Sequence, residues 1–387
     1  MSAFRITRLP ELLVGPGSLE SATSLAGRFG KKLLLVTGKQ SFRASSHYTR
    51  LIASFREEKI EFRESFIPGE PSPSLINAIV EEHRSFLPGL VMAIGGGSTL
   101  DAGKALSAML PSGKDVRLFL EGVGSEIHNG QKLPFIAVPT TAGTGSEATK
   151  NAVLSEIGLH GFKRSLRHDN FIPEIAILDP LLAISCPNEV TLASGLDALT
   201  QLMEAYLSTR ATPFTDALAL PAINSIVKFL PRVMLCPTDI GARQELSYAA
   251  YISGICLANA GLGTVHGFAS VIGAMTQIPH GIVCGLLMTP CHLASYTKLR
   301  SNGEADPVLG KFEKLSAVFN EGPPGKSSGK EFNDSFSAWT SRFHLPPLSS
   351  FGIQPGMIRE IVSRTDQKNN PVILNQEDLQ SIVLSCL

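Results

Sequence analysis

The 387-residue sequence predicts an α/β N-terminal domain built on a parallel sheet, followed by an all-helical C-terminal domain. Three observations carry this. Short apolar runs alternate with helix-like stretches through the first half, and each run ends in Gly, Pro or Thr. Beyond Asp179-Pro180 the strand-like runs fade into long segments with apolar residues at helical spacing. The length suits two domains at roughly 100–200 residues each.

The runs are Lys32–Thr37, Gly89–Ile94, Phe135–Val138 and Ile175–Leu178, separated by helix-like stretches such as Leu75–His83 and Leu100–Leu110. Continuous apolar strands with intervening helices indicate a parallel sheet covered on both faces. Such sheets bind ligands beyond the carboxyl ends of their strands. In the second half, Ala193–Ser208, Pro213–Leu230, Ala242–Ala260 and Val265–Ala274 read as helices, punctuated by Pro187, Pro231, Pro237 and the Gly261/Gly263 pair. The boundary is expected near residue 183, giving domains over 1–183 and 184–387, with a loop over Asn320–Lys330 and no internal repeat.

Composition narrows the function classes. Hydrophobic residues make up 43% and charged residues 18%, a core-rich balance unlike disorder. Lys+Arg and Asp+Glu are both 34, so no global field draws nucleic acid or an anionic membrane. No apolar run reaches the roughly 18 residues of a membrane span, and Arg5, Arg8 and Glu11 interrupt any secretory-type stretch. The expectation is a cytoplasmic protein with no nucleic-acid or membrane partner. Its six cysteines form no C-x-x-C pair and read as reduced, mostly buried thiols.

Two strand ends carry candidate chemistry. Gly95-Gly-Gly-Ser-Thr-Leu-Asp101 lies between a strand and a helix, where glycines admit a close ligand and the helix N-terminus offers free N–H groups. It is neither a Walker loop nor G-x-G-x-x-G, and a plain turn with Ser98 or Thr99 as N-cap is the structural alternative. Pro139-Thr-Thr-Ala-Gly-Thr-Gly-Ser-Glu147 adds three threonine hydroxyls. It contains a G-x-G-x-x-A match and reads equally as a capping box feeding a helix. Two such loops at neighbouring strand ends favour a dinucleotide. In the helical half, Asp197 and Gln201 are four apart and share a helix face, with Glu204 near it, while His266 and His280 flank a helix and turn. Asp197, Gln201, His266 and His280 could hold one divalent metal, Zn2+ or Fe2+, although by spacing alone core or surface histidines are the preferred reading.

Taken together and in order, these stretches resemble the iron-containing (group III) alcohol dehydrogenase family: Gly95-Gly-Gly-Ser-x-x-Asp101, Pro139–Glu147, Asp197-Ala-Leu-Thr200 with Glu204-Ala-Tyr206, Asn259-Ala-Gly-Leu-Gly-x-x-His266-Gly267 and Pro279-His-Gly281. The match runs from Phe4 and Gly15, in an expected opening hairpin, into the helical half. The resemblance implies a dehydroquinate synthase-like fold, a Rossmann-like sheet plus a helical domain, with a small alcohol or aldehyde substrate and a homodimeric assembly. It implies NAD or NADP held at Gly38, Lys39, Gly96, Gly97, Ser98, Asp101, Thr140, Thr141, Thr144, Thr149, Lys163 and Leu178. It places a divalent metal (Fe2+ or Zn2+) on Asp197, His266 and His280. Two positions depart from the pattern: Gln201 stands where the fourth ligand is usually His, and Ser270 where a second histidine lies near substrate. Gln201 offers a weaker neutral oxygen, and Ser270, the candidate catalytic position, cannot act as a base; water or a ribose hydroxyl would carry the proton.

The implied reaction is hydride transfer between an alcohol or carbonyl carbon and nicotinamide, with the metal polarising the oxygen. Gly38 occupies the place of an Asp that would repel a 2′-phosphate, and Lys39 and Arg43 follow, so NADP is admissible. The alternatives are a maleylacetate reductase-like enzyme with weak or no metal, and a catalytically silent nucleotide-binding module.

Overall fold

The computed structural model describes residues 3–156, 161–301, 306–320 and 329–387. The first part follows the order β1 (Glu11–Val14), α1 (Ala22–Gly27), β2 (Lys32–Gly38), α2 (Ser46–Glu57), β3 (Glu61–Ile67), α3 (Pro73–His83), β4 (Leu90–Gly95), α4 (Gly97–Ser112), β5 (Phe135–Pro139), β6 (Asn151–Glu156), β7 (Phe162–Arg167) and β8 (Ile175–Leu178). Six of these strands form one sheet in the order β1-β8-β5-β4-β2-β3, with every pairing parallel. Alternate residues of β4 serve opposite faces: Leu90, Met92 and Ile94 enter one core, Val91 and Ala93 the other. That two-sided burial is why the strands read as unbroken apolar runs.

The helical part comprises α5 (Asn188–Leu207), α6 (Pro213–Leu235), α7 (Ile240–Ala260), α8 (Thr264–Met275), α9 (His280–Ser301), α10 (Pro307–Phe319), α11 (Gly329–Ser341), α12 (Ile358–Arg364) and α13 (Gln376–Leu384). Its starts are chemically marked. Thr212 and Thr215 form a capping box ahead of α6, with Pro213 in its first turn, and Asp239 caps α7.

Four expectations are revised. The opening segment is not a hairpin: β1 runs parallel to β8 as the sheet's edge. The antiparallel ribbon β6–β7 is additional, and its polar, charged residues concealed it. Pro231 does not end a helix, because α6 runs through both Pro221 and Pro231. The Val227 carbonyl, which an amide at 231 would have bonded, instead accepts the Trp339 indole N–H at 3.1 Å. Finally, α6 is long and apolar enough to cross a membrane by length and composition, although Ala219, Ile223, Ile226 and Leu230 pack into the helical core. The central part of the expected Asn320–Lys330 loop, 321–328, lies outside the described residues.

Candidate active site

The connections of the sheet leave β2 and β4 toward opposite edges, so their carboxyl ends flank the topological switch point where open α/β sheets bind ligands. Gly38 closes β2, Gly95 closes β4 and Pro139 closes β5. Helix α4 starts directly at Gly97; Gly96, and not Ser98 or Thr99, is its N-cap, and no side chain caps it. The first-turn N–H groups are therefore available to an anion. The glycines themselves answer to packing. A Cβ on Gly95 would sit 2.6 Å from Thr99, and one on Gly97 2.4 Å from Thr144 of the next loop.

That second loop does not feed a helix. After one 3₁₀ turn over Ser146–Ala148 the chain enters β6, so neither the capping-box reading nor the G-x-G-x-x-A match finds its required helix. Lys104, fully buried on α4, holds the loop instead. Its ammonium donates to the Ser146 carbonyl (2.7 Å), the Thr149 hydroxyl (2.8 Å) and the Asn151 carbonyl (2.8 Å). Asp101 accepts from the Ser146 hydroxyl (2.6 Å) and the Val153 N–H (3.1 Å). Burial lowers Lys104 to about 8 and raises Glu147 to about 7.

Across the cleft, α5 presents Asp197, Gln201 and Glu204 from successive turns of one face. His266 lies in the first turn of α8, and α9 begins at His280, so that Cys284 falls one turn later on the same side. His266 Nε2 lies 3.3 Å from Asp197 Oδ1, and His280 Nε2 3.8 Å from it. Cys284 Sγ is 3.9 Å from both Asp197 Oδ1 and His266 Nε2. Donor atoms of all four residues fall within 4.8 Å of one another. Glu204 fixes the arrangement from behind: one oxygen meets His266 Nδ1 at 2.6 Å, and the other accepts the Val265 N–H at 2.6 Å, capping α8.

Electrostatics agree with that packing. Burial opposes charge on His266, yet the Cys284, Glu204 and Asp197 groups around it lift it well above its usual value. Burial drives His280 down to about 3, leaving a neutral ring. Neither of its nitrogens has a hydrogen-bond partner among the described residues, and Nδ1 is buried. A half-buried imidazole with its Nδ1 unpartnered, beside a carboxylate, a second imidazole and a thiol, fits a divalent cation.

A single cleft of about 860 Å³ gathers most of the residues singled out in the sequence. Gly96, Gly97, Ser98, Asp101, Thr141, Thr144, Thr149 and Lys163 line one wall; Asp197, Gln201, His266, Ser270 and His280 line the other. Lys163 pairs with Glu70 at 2.6 Å. The Ser270 hydroxyl donates to the His266 carbonyl at 2.7 Å. Gln201 is turned: its carbonyl oxygen accepts from the Ser253 hydroxyl at 2.9 Å, and its amide bonds Asp197. Four residues stand off the wall. Gly38 ends β2 and Lys39 follows it, Thr140 is tied by its backbone N–H to the Gly95 carbonyl (2.9 Å), and Leu178 is core.

Likeness to a known family decides the affiliation. Residues 10–180 match the family described as "Iron-containing alcohol dehydrogenase", and 191–387 match "Fe-containing alcohol dehydrogenase family, C-terminal". The chain belongs to the iron-containing alcohol dehydrogenase family. It is similar to the "Probable alcohol dehydrogenase EutG" of Escherichia coli (strain K12), 38% identical over 280 residues, 72% of this chain and 70% of that one. It is also similar to the "NAD-dependent methanol dehydrogenase" of Bacillus methanolicus, 27% identical over 98% of both chains. The crystal structure of an iron-containing alcohol dehydrogenase from Thermotoga maritima superposes with a TM-score of 0.84 at 25% identity, covering 100% and 99% of the two chains. The two-part fold expected from the sequence is thus the fold of iron-containing alcohol dehydrogenases.

Two residues of this site take roles that the sequence alone does not assign. Glu204, near the Asp197 face and within the Glu204-Ala-Tyr206 motif, turns out to hold the His266 ring. Cys284 reads with the other thiols as core, and its four-residue spacing from His280 gains meaning only once both are known to face Asp197.

Proposed function

We propose that this alcohol dehydrogenase is a metal-dependent, NAD(P)-linked enzyme interconverting a small alcohol and its aldehyde or ketone. The carrying observation is convergence: Asp197, His266 and His280 face the uncapped N-terminus of α4 across one cleft. When bound, the divalent ion (Fe2+ or Zn2+) polarises the substrate oxygen, and the nicotinamide gives or takes the hydride. Residues of the chain do the positioning. The backbone N–H groups of Gly97 and Ser98 take the pyrophosphate, with the Thr141 and Thr144 hydroxyls beside them. Gly38 and Lys39 border the adenosine end and admit a 2′-phosphate, while Lys163 stands toward a ribose. Glu204 holds the His266 ring so that Nε2 points toward Asp197. Ser270, with its own proton given to the His266 carbonyl, leaves proton exit to water or a ribose hydroxyl.

The unit over 1–183 binds the dinucleotide and that over 184–387 the metal and substrate. Two supporting features bear on context. The exposed Phe4, Ile6, Leu9 and Val14 beside edge strand β1 suit contact with a second copy, hence a homodimer, and six unpaired thiols suit the reducing cytoplasm.

The test is metal analysis of protein purified without chelator, paired with a screen of aldehydes against NADH and NADPH. About one equivalent of metal with carbonyl-dependent oxidation of either cofactor is expected. Turnover without metal would favour the maleylacetate reductase-like alternative; neither metal nor turnover would leave a silent nucleotide-binding module.

A further inference from the structure

We propose that Cys284, and not Gln201, completes the metal site, giving a ligand set of one carboxylate, two imidazoles and one thiolate. This deepens the metal-dependent reading above and rests on it. Bonds of about 2.0–2.1 Å to nitrogen or oxygen and about 2.3 Å to sulfur put donors on one tetrahedral ion about 3.3–3.6 Å apart. The separations of 3.3, 3.8, 3.9 and 3.9 Å among Asp197, His266, His280 and Cys284 are already close to that cage. Gln201 has one atom able to ligate, its carbonyl oxygen, and that atom is engaged by Ser253 while the N–H side serves Asp197. Gln201 is therefore a positioning residue for Asp197. The fold makes the exchange possible because Cys284 lies one helical turn beyond His280, so α9 alone offers two ligands to one point.

The consequence is a change of metal preference. Thiolate beside imidazole and carboxylate suits borderline-soft zinc better than ferrous iron, and a coordinating thiol gives up its proton to bind. The site would then keep two negative ligands and neutralise a divalent ion more fully than one carboxylate with three neutral donors would.

Full-length protein stripped of metal and reloaded with cobalt(II) provides the test. The wild type should show a near-ultraviolet sulfur-to-cobalt charge-transfer band, lost in Cys284→Ser and retained in Gln201→Ala. In chelator competition, Cys284→Ser should weaken zinc binding beyond the ~10–100-fold that loss of an outer partner costs, whereas Gln201→Ala should stay within it. X-ray absorption of the zinc-loaded wild type should show one sulfur at about 2.3 Å, a readout that no folding defect in a variant can blur. One cobalt per chain without the band, or a zinc shell without sulfur, overturns the assignment and leaves the metal-dependent reading standing. Failure to bind zinc or cobalt at all overturns both.

A different observation concerns the substrate. Beside Ser270 the cleft continues into a chamber of about 840 Å³ whose walls carry seven Lys and Arg, four of them already paired: Lys150 with Asp169, Lys163 with Glu70, Arg167 with Glu121 and Arg364 with Glu360. In a chain of zero net charge the remaining Arg164, Arg210 and Lys368 are the local excess. Arg164 and Arg210 have no ion-pair partner among the described residues, and the glycine loop that faces the pyrophosphate does not line this chamber. We infer that the substrate carries an anionic group, carboxylate or phosphate, remote from the reacting carbon. Resting on the reductase reading, it is tested with aldehydes of equal length ending in methyl, carboxylate or phosphate. The anionic ones should be favoured about tenfold or more in kcat/KM at low salt, less so as ionic strength rises. An Arg164→Gln/Arg210→Gln double variant should erase the preference through KM and leave the methyl-ended aldehyde unchanged. Equal use of neutral and anionic aldehydes, or a preference surviving in the variant, refutes the inference; turnover of none refutes the reductase reading itself.

Discussion

On one wall of the cleft, the groups suited to a dinucleotide come from two continuous stretches, 95–101 and 139–149, and they act largely through backbone. On the other wall, the groups suited to a metal stand at 197, 266, 280 and 284, on three helices, and offer only side chains. Backbone recognition needs a strand end, glycines and a free helix N-terminus, and these must be adjacent in sequence. Side-chain convergence needs only that helices pack correctly, so its members scatter. The first wall is robust to changes of single hydroxyls and sensitive to packing, whereas the second stands or falls on individual donors.

The largest expected effect tests the packing side. Lys104→Met removes the ammonium that ties together Ser146, Thr149 and Asn151, leaving buried acceptors unmet, and should cost about 3–5 kcal/mol in denaturant unfolding. Its pH dependence has a definite sign. Burial puts Lys104 at about 8 when folded against 10.5 in the open chain, so the unfolded state holds more protons between pH 8 and 10.5. Its unfavourable contribution is full below pH 8 and fades toward 10.5, and the gap between wild type and variant should widen across that window. A gap that narrows there would show that Lys104 is not buried as a charge.

Asp197→Asn tests the other wall. It keeps the shape but removes the carboxylate against which His266 and His280 converge. Carbonyl reduction should fall on the order of 10³-fold in kcat/KM, about 4 kcal/mol, with metal content lost. NAD(P)H affinity, read by fluorescence titration, should stay put, because the walls share no donor. Parallel loss of cofactor binding would break the comparison drawn above.

Glu204→Gln sharpens it. The amide oxygen still accepts the Val265 N–H, so the cap on α8 survives, but the charge facing His266 Nδ1 is gone. Metal affinity should drop about 10–100-fold with thermal stability nearly unchanged. A collapse in stability of equal size would mean that Glu204 serves the helix and not the ring.

This contrast also explains what the sequence could disclose. The sheet was legible because every inner strand is apolar on both faces, and the glycine loops because they sit at strand ends. Strand β3, with Arg63 and Glu64 in its middle, and the ribbon carrying Lys163 and Arg164 lack that signature, being edge or solvent-facing. Spacing offers Asp197, Gln201, His266 and His280 only as a weak set, and the ordered family motifs single out Asp197, His266 and His280, since nothing local says that three helices meet. Cys284 fell outside any motif, and a buried thiol in an apolar helix is indistinguishable by composition from core. Its meaning appears only when His280 and Asp197 are placed within 4.8 Å of it.

The smallest expected effect sits at the far end of the dinucleotide wall, where recognition passes from backbone to charge. Gly38 closes β2 in an ordinary backbone conformation, and an added Cβ there would meet only the Thr99 hydroxyl at 3.7 Å, so a side chain fits without strain. Lys39 is exposed beside it, and the Arg43 guanidinium lies 4.1 Å from the Phe66 ring centre, which steadies a positive charge near the same edge. Gly38→Asp therefore introduces a carboxylate where a 2′-phosphate would lie and where a ribose 2′-hydroxyl could donate to it. KM for NADPH should rise about tenfold relative to that for NADH, close to 1.4 kcal/mol of discrimination, with kcat unchanged because hydride transfer occurs at the opposite end. If the KM ratio does not move, the adenosine end does not rest against β2, and the wall that the sequence made most legible is placed correctly only as far as the pyrophosphate.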